Sequence, residues 1–394
     1  MKLLYVAGGF PRLTETFVLN EVLGQLERGH DVRVVSLRRS QGSHPAEAEE
    51  IRRRTIDVGR VPLPRRHLRR GASSVPEQRW SRRLFAMAAA ANVAARLGGF
   101  SPDVVHAHFL NLPTLVAGTL ARLLEVPYTF TGHADDFMVD VPDQLLRQRV
   151  LHADAGFVVS EAGQREIVRR ARLDPDESRR LTVVRASAHR RVAAQGSEPA
   201  APLTLVTVGR LVPIKGIDVS IRAFALVRRR HPRARYWVVG EGPERPKLED
   251  LIRSLDLQGS VTLLGSMDNA TAQRVLVRSH VAVLACRRDD RGAADGVPVF
   301  LMEAGLLGVP VVSTDVAGVP ELVRHGRSGL LARPDEVTEL ADAVLGLAAG
   351  GELRARLVSG LRERVETEFA PGRQLDRMHA VWQQLTLDPP PGAA

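Results

Sequence analysis

Cysteine, lysine and aromatic residues are all scarce in this 394-residue sequence. The one cysteine, Cys286, excludes an internal disulfide framework and a cysteine-based zinc site. Lysine occurs three times among 55 basic residues, so arginine serves as the general-purpose cation. Arginine number alone therefore argues little about function. Long apolar runs are missing too. The longest, from Leu84 to Ala95, is too short to span a bilayer. The opening run from Met1 to Ala7 is broken by Gly8 and Gly9 too early for a signal peptide. These absences predict a cytoplasmic protein. Net charge is +10, and the arginines are densest from Arg52 to Arg83, where eleven face Asp57 and Glu77. That stretch has one aromatic residue, Trp80. It lacks the stacking platform of a single-strand nucleic-acid groove, and no helix-turn-helix or finger pattern accompanies it. No nucleic-acid partner is expected.

What is present is an alternation of short apolar runs with helical periodicity. From Lys2 to Ala7 the chain reads as a buried strand, followed by a glycine loop and a helix that Thr14 can cap. Residues 31–37 form the next strand. Strand, glycine loop, helix, strand is half of a doubly wound unit. Further strands are predicted at 103–109, 126–131, 155–160 and 181–185. Residues 40–80 read as a loop excursion with a short helix, and a helix follows from Trp80. A small-residue and proline linker occupies 191–202. The pattern then restarts, with strands at 203–208, 235–239, 261–264, 281–285 and 309–313. The expected fold is α/β, two doubly wound Rossmann-like domains facing a cleft. The first covers 1–190 and the second 203–370, with a last helix and tail at 371–394.

The densest chemistry runs from Asp295 to Leu322. Gly296 frees the backbone, Pro298 suits a first helical turn, and Gly308 with Pro310 ends the helix. A helix N-terminus beside a small-residue loop at a strand end is an anion site. Asp295 and Glu303 frame it. Eight residues apart in sequence, they would stand roughly 12 Å apart on a continuous helix. Glycosidase carboxylates stand about 5–9.5 Å apart. The pair therefore reads as two hydroxyl clamps beside a phosphate and not as a proton-transfer couple. No residue stands out as a covalent nucleophile.

Asp-Gly-x-Pro followed by four residues and Glu-Ala, then Gly-Val-Pro-Val-Val-Ser-Thr-Asp and Gly-Val-Pro-Glu-Leu, resembles the signature of family-4 retaining glycosyltransferases. The likeness is strong over 205–335 and looser before it. That family usually has Glu where this chain has Asp295, one methylene shorter. The resemblance implies the GT-B architecture and metal-independent transfer of a sugar from a nucleotide-sugar donor, of UDP-hexose type, to an acceptor hydroxyl. The anomeric configuration is kept, and no cofactor or metal is required. It implies that Arg210 and Lys215 grip the donor diphosphate, with Gly296, Val297, Pro298 and Val299 at the helix N-terminus. Glu303 would hold ribose hydroxyls and Asp295 sugar hydroxyls. Turns at Gly242 and Gly265 would line the base pocket. Gly9 and His133 would approach the donor phosphate and sugar, with Asp135 and Asp136 nearby. The acceptor would be a glycan, a lipid-linked sugar or a small molecule. The basic stretch from Arg52 to Arg83 suits peripheral contact with the inner membrane face; the alternative is a solvated loop and a soluble acceptor.

Three other readings compete. Nucleotide-sugar 2-epimerases share the architecture. His106 and His108, spaced as a strand-end pair, have the spacing of a metal-dependent hydrolase's ligands, although hydrogen-bonded histidines are the simpler account. A basic binding module without catalysis is the third.

Overall fold

In the computed structural model the described residues are 1–12, 15–39, 48–59, 80–138, 141–194 and 202–387, with the side chains of Asp135 and Asp136 left aside. Thr14, residues 60–79 of the basic stretch, most of the linker and the tail beyond 387 lie outside them. The chain divides into two compact units, Met1–Arg185 with Pro371–Ala394, and Ala186–Ala370.

The first unit is built on seven parallel strands: β1 (Lys2–Ala7), β2 (Asp31–Ser36), β3 (Thr55–Asp57), β4 (Val104–His108), β5 (Tyr128–Gly132), β6 (Ala155–Val158) and β7 (Leu181–Val183). Their order is β3-β2-β1-β4-β5-β6-β7. The central strands are buried along their length, as parallel strands covered on both faces must be. The order reverses between β1 and β4. The strand ends there open the crevice where doubly wound sheets bind ligands. Gly8 and Gly9 follow β1, His108 ends β4, and His133 follows β5.

The short helix Ala48–Arg53 stands within the predicted 40–80 excursion. Strand β3 was not predicted, because three residues are too few to show a period. The last helix, Pro371–Leu387, belongs to this unit. It sinks Trp382, which is fully buried, among Tyr5, His106 and Phe157. The indole Nε1 donates to Thr129 Oγ1 at 3.0 Å.

The second unit carries β8 (Thr204–Val208), β9 (Arg235–Val239), β10 (Val261–Gly265), β11 (Val281–Leu284), β12 (Val311–Thr314) and β13 (Leu330–Ala332). Their order is β10-β9-β8-β11-β12-β13. Its switch point lies between β8 and β11, so the loops after those strands, at 209–216 and 285–298, share one crevice edge. The unit begins at Ala186, whereas the sequence places the first domain's end at 190. Gln273 explains the difference: its Nε2 donates to His189 O at 2.8 Å, and its Oε1 accepts from Arg191 N at 2.8 Å.

Candidate active site

The loop after β8 turns through a single 3-10 turn, Pro213–Lys215, which ends at Gly216 in the left-handed region with φ 55°. A Cβ on Gly216 would stand 1.8 Å from the Ala285 carbonyl oxygen, so only glycine lets this turn press against the end of β11. Arg287 fastens the same contact. Its backbone N–H donates to Ile214 O and its Nε to Pro213 O, each at 3.0 Å. Its guanidinium also pairs with Asp218 and Asp335 at 3.1 Å.

This anchoring aims Lys215 at the start of the central motif. The ammonium of Lys215 forms an ion pair with Asp295 Oδ2. Burial, the largest single influence, pulls the lysine's pKa down, but the Asp295 charge, the neighbouring Cys286 and the hydrogen bond to Asp295 together outweigh it and hold the group above the ordinary lysine range. Lys215 is therefore charged at neutral pH. Arg210 stands close enough for its charge to be felt there. Cys286 Sγ lies 3.7 Å from the same Asp295 oxygen. Burial, then the Asp295 charge, pushes its thiol well up, so it is no nucleophile. Asp295 Oδ1 has no hydrogen bond among the described residues.

Helix Val299–Leu307 starts one residue later than Pro298 suggests: Pro298 is extended at φ −66°, ψ 120°, and stands just before the first turn. Gly308 closes the helix with φ 82°. Gly318 packs against this entry, where a Cβ would come within 2.4 Å of Gly296 O. Val297 is buried with the helix's apolar face, which leaves the loop backbone and the first helical N–H groups to meet a ligand. Glu303 is 7% exposed. Its Oε1 accepts from Asn269 Nδ2 at 2.6 Å and from Gln273 Nε2 at 3.2 Å. Burial raises its carboxyl above the ordinary range despite those bonds. Its Oε2 has no hydrogen-bond partner among the described residues. One oxygen is thus pinned and the other is an acceptor in waiting. Asn269 and Gln273, one helical turn apart, hold Glu303 in place, and the sequence did not single them out.

Gly242 and Gly265 sit at the neighbouring strand ends. A Cβ on Gly242 would meet Leu211 O at 2.4 Å, so this turn packs on the loop that carries Arg210. Gly265 ends β10, and its carbonyl accepts from Gly240 N at 2.8 Å.

In the first unit, Gly9 packs beside Arg12, and the next backbone N–H, of Phe10, donates to Ser36 Oγ at 2.9 Å. His133 lies between Phe17 and Phe109, each with its ring centroid 4.6 Å away. Its Nε2 is 3.1 Å from His108 Nδ1. Burial, then His108, drives its pKa well below the ordinary histidine value, so the ring is neutral at pH 7. His106 is held neutral by burial in the same way. Glu21 joins His106 and His108, with potential ligand atoms within 4.8 Å of one another.

Two family models match the chain, one described as Glycosyltransferase Family 4 over residues 14–184 and one as Glycosyl transferases group 1 over 202–349. The putative colanic acid biosynthesis glycosyltransferase WcaL of Salmonella typhimurium is 27% identical over 413 residues, spanning 95% of this chain and 98% of that protein. The amylovoran biosynthesis glycosyltransferase AmsK of Erwinia amylovora is 33% identical over 184 residues, 47% of this chain and 44% of that protein. Among solved structures, Anabaena HepE in complex with UDP and glucose aligns with a TM-score of 0.75 at 17% identity, covering 98% of this chain and 100% of the other. The chain belongs to family 4 of the glycosyltransferases and has the GT-B fold.

Proposed function

We propose that the protein moves a hexose from a UDP-type nucleotide sugar to an acceptor hydroxyl, without a metal and with the anomeric configuration retained. The observation that carries this reading is the second unit's switch point. A charged lysine, an arginine and a helix N-terminus converge there with two carboxylates, each with one oxygen engaged and one open. Lys215, Arg210 and the N–H groups of Gly296, Val297 and Val299 suit a leaving diphosphate, whose developing charge they would stabilise. Glu303 Oε2 suits ribose hydroxyls and Asp295 Oδ1 a sugar hydroxyl. His133 is assigned a substrate sugar hydroxyl. The carboxylates are tied to cation or amide partners, which favours same-face substitution assisted by the departing phosphate over a covalent intermediate.

The relatives named for amylovoran and colanic acid biosynthesis support a polysaccharide intermediate, free or lipid-linked, as acceptor. Among the described residues no helix is long and apolar enough to cross a membrane. Arg52, Arg53 and Arg82 are exposed, which supports peripheral electrostatic contact with an anionic surface. The test is proton NMR of the product made from α-linked UDP-hexoses in excess chelator. The reading expects an α-glycoside. A β-glycoside, an epimerised donor without transfer, or complete loss of activity in chelator would contradict it.

A further inference from the structure

A chain of buried polar groups in the first unit leads to His133. The two-residue period of β4 puts His106 and His108 on one face. Register places Tyr5 of β1 and Thr129 of β5 beside His106, and Thr131 beside His108. Donor chemistry and the nearby Glu21 carboxylate together set the proton positions. Trp382 can only donate, so Thr129 accepts from it and has its own proton to give to His106 Nδ1, 2.9 Å away. Glu21 Oε1, 3.8 Å from His106 Nε2, favours the neutral ring's proton on that nitrogen, which donates it to Thr131 Oγ1 at 3.0 Å. His106 is thereby fully engaged.

His108 faces Glu21. Its Nε2 lies 3.5 Å from Glu21 Oε1, which also accepts from Tyr5 OH at 3.0 Å. That separation is long for a hydrogen bond. Still, a bare lone pair turned to a carboxylate oxygen would be repelled, whereas an N–H is attracted. The His108 proton therefore belongs on Nε2, which makes Nδ1 an acceptor. His133 Nε2–H donates to it, and the neutral ring is left with an unprotonated Nδ1 that has no hydrogen-bond partner among the described residues.

We propose that Glu21 and His108 are positioning residues that fix the tautomer of His133, so that its Nδ1 accepts a hydrogen bond from a substrate hydroxyl. The hydroxyl rests on the glycosyltransferase reading above; the tautomer does not. A metal on Glu21, His106 and His108 would require the opposite arrangement, with both Nε2 atoms bare.

The experiment is long-range proton–nitrogen NMR of the full chain labelled with 15N-histidine, at pH 7.5. His133→Gln serves for assignment, and kinetics are run on Glu21→Gln and Glu21→Asp. The expected result is a protonated Nε2 and bare Nδ1 at His133 in the native chain. Glu21→Gln should shift that ring toward the other tautomer and lower kcat about tenfold or more while the donor KM changes little. Glu21→Asp should restore part of both. A native His133 protonated on Nδ1 would overturn the proposal even if the variants fail to fold. So would an unchanged tautomer in Glu21→Gln, or stoichiometric Zn2+ binding that moves the His106 and His108 resonances. The expected tautomers in a chain that turns over no nucleotide sugar would support the relay and overturn the functional reading instead.

Discussion

Replacing Lys215 with alanine is expected to lower kcat about 10²–10³-fold, the usual cost of removing one preorganised donor from a charge developing in the transition state. The effect should fall on kcat as well as kcat/KM, because diphosphate charge grows as the glycosidic bond breaks. Lys215 also neutralises Asp295 inside a largely buried pair. Removing one partner of such a pair leaves an uncompensated charge and costs up to about 3–5 kcal/mol. Lost turnover in Lys215→Ala could then reflect a damaged fold. The double variant Lys215→Met/Asp295→Asn separates the causes. It should melt close to the native protein, since no lone charge remains, yet stay as slow as the single variant. Recovery of turnover in the double variant would contradict a role for Lys215 at the diphosphate. A change confined to KM would mean that it only binds.

Acid should unfold the first unit before the second. Burial lowers the pKa values of His30, His106, His133 and His152, with His152 at about 4, and all four lie in the first unit. The unfolded chain takes up a proton on each near 6.5, while the folded unit resists it. Below about 6.5 the unfolded state binds more protons, so stability rises with pH. That stability is present above 6.5 and is lost as pH falls toward the folded values. A single fully buried imidazole contributes up to about 1.4 kcal/mol for each pH unit in that window. Asp154 opposes the trend, since burial raises its carboxyl. In the second unit the raised Glu303 has the opposite sign, its contribution being greatest at low pH and lost as pH rises through its folded value. Hydrogen exchange followed by mass spectrometry at pH 7.5 and pH 5 should therefore show protection falling in peptides from β1, β4 and β5 first. Earlier loss from β8, β11 and β12 would contradict this.

Both sheets could be read from the chain because their strands are short apolar runs bounded by glycine or proline, and parallel strands need no finer pattern. The carboxylate motif was legible because its residues are close in sequence and its helix carries both a start and a stop. The pair His106 and His108 was legible as a shared strand face. What the sequence could not show is who meets whom across long separations. Lys215 reaches Asp295 over 80 residues, and Asn269 and Gln273 reach Glu303 over 34 and 30. Glu21 looks like any charged position on the Thr16–Glu27 helix until packing turns it toward the histidines. The spacing of Asn269 and Gln273 on one helical face was the signal available for that pair, but polar faces of surface helices are common. Strands β3 and β13, three residues each, were missed for their brevity.

The most direct test of the central claim is calorimetric titration of UDP, in excess chelator, into the native chain and into Glu303→Ala. The two variants of the buried site differ by one acceptor for a ligand hydroxyl, worth about 1–3 kcal/mol when the partner would otherwise be left unpaired. The predicted result is one UDP bound per native chain, with affinity roughly 5- to 150-fold weaker in Glu303→Ala. No binding to the native chain, or equal binding to both, would contradict a nucleotide site built on the second unit's switch point.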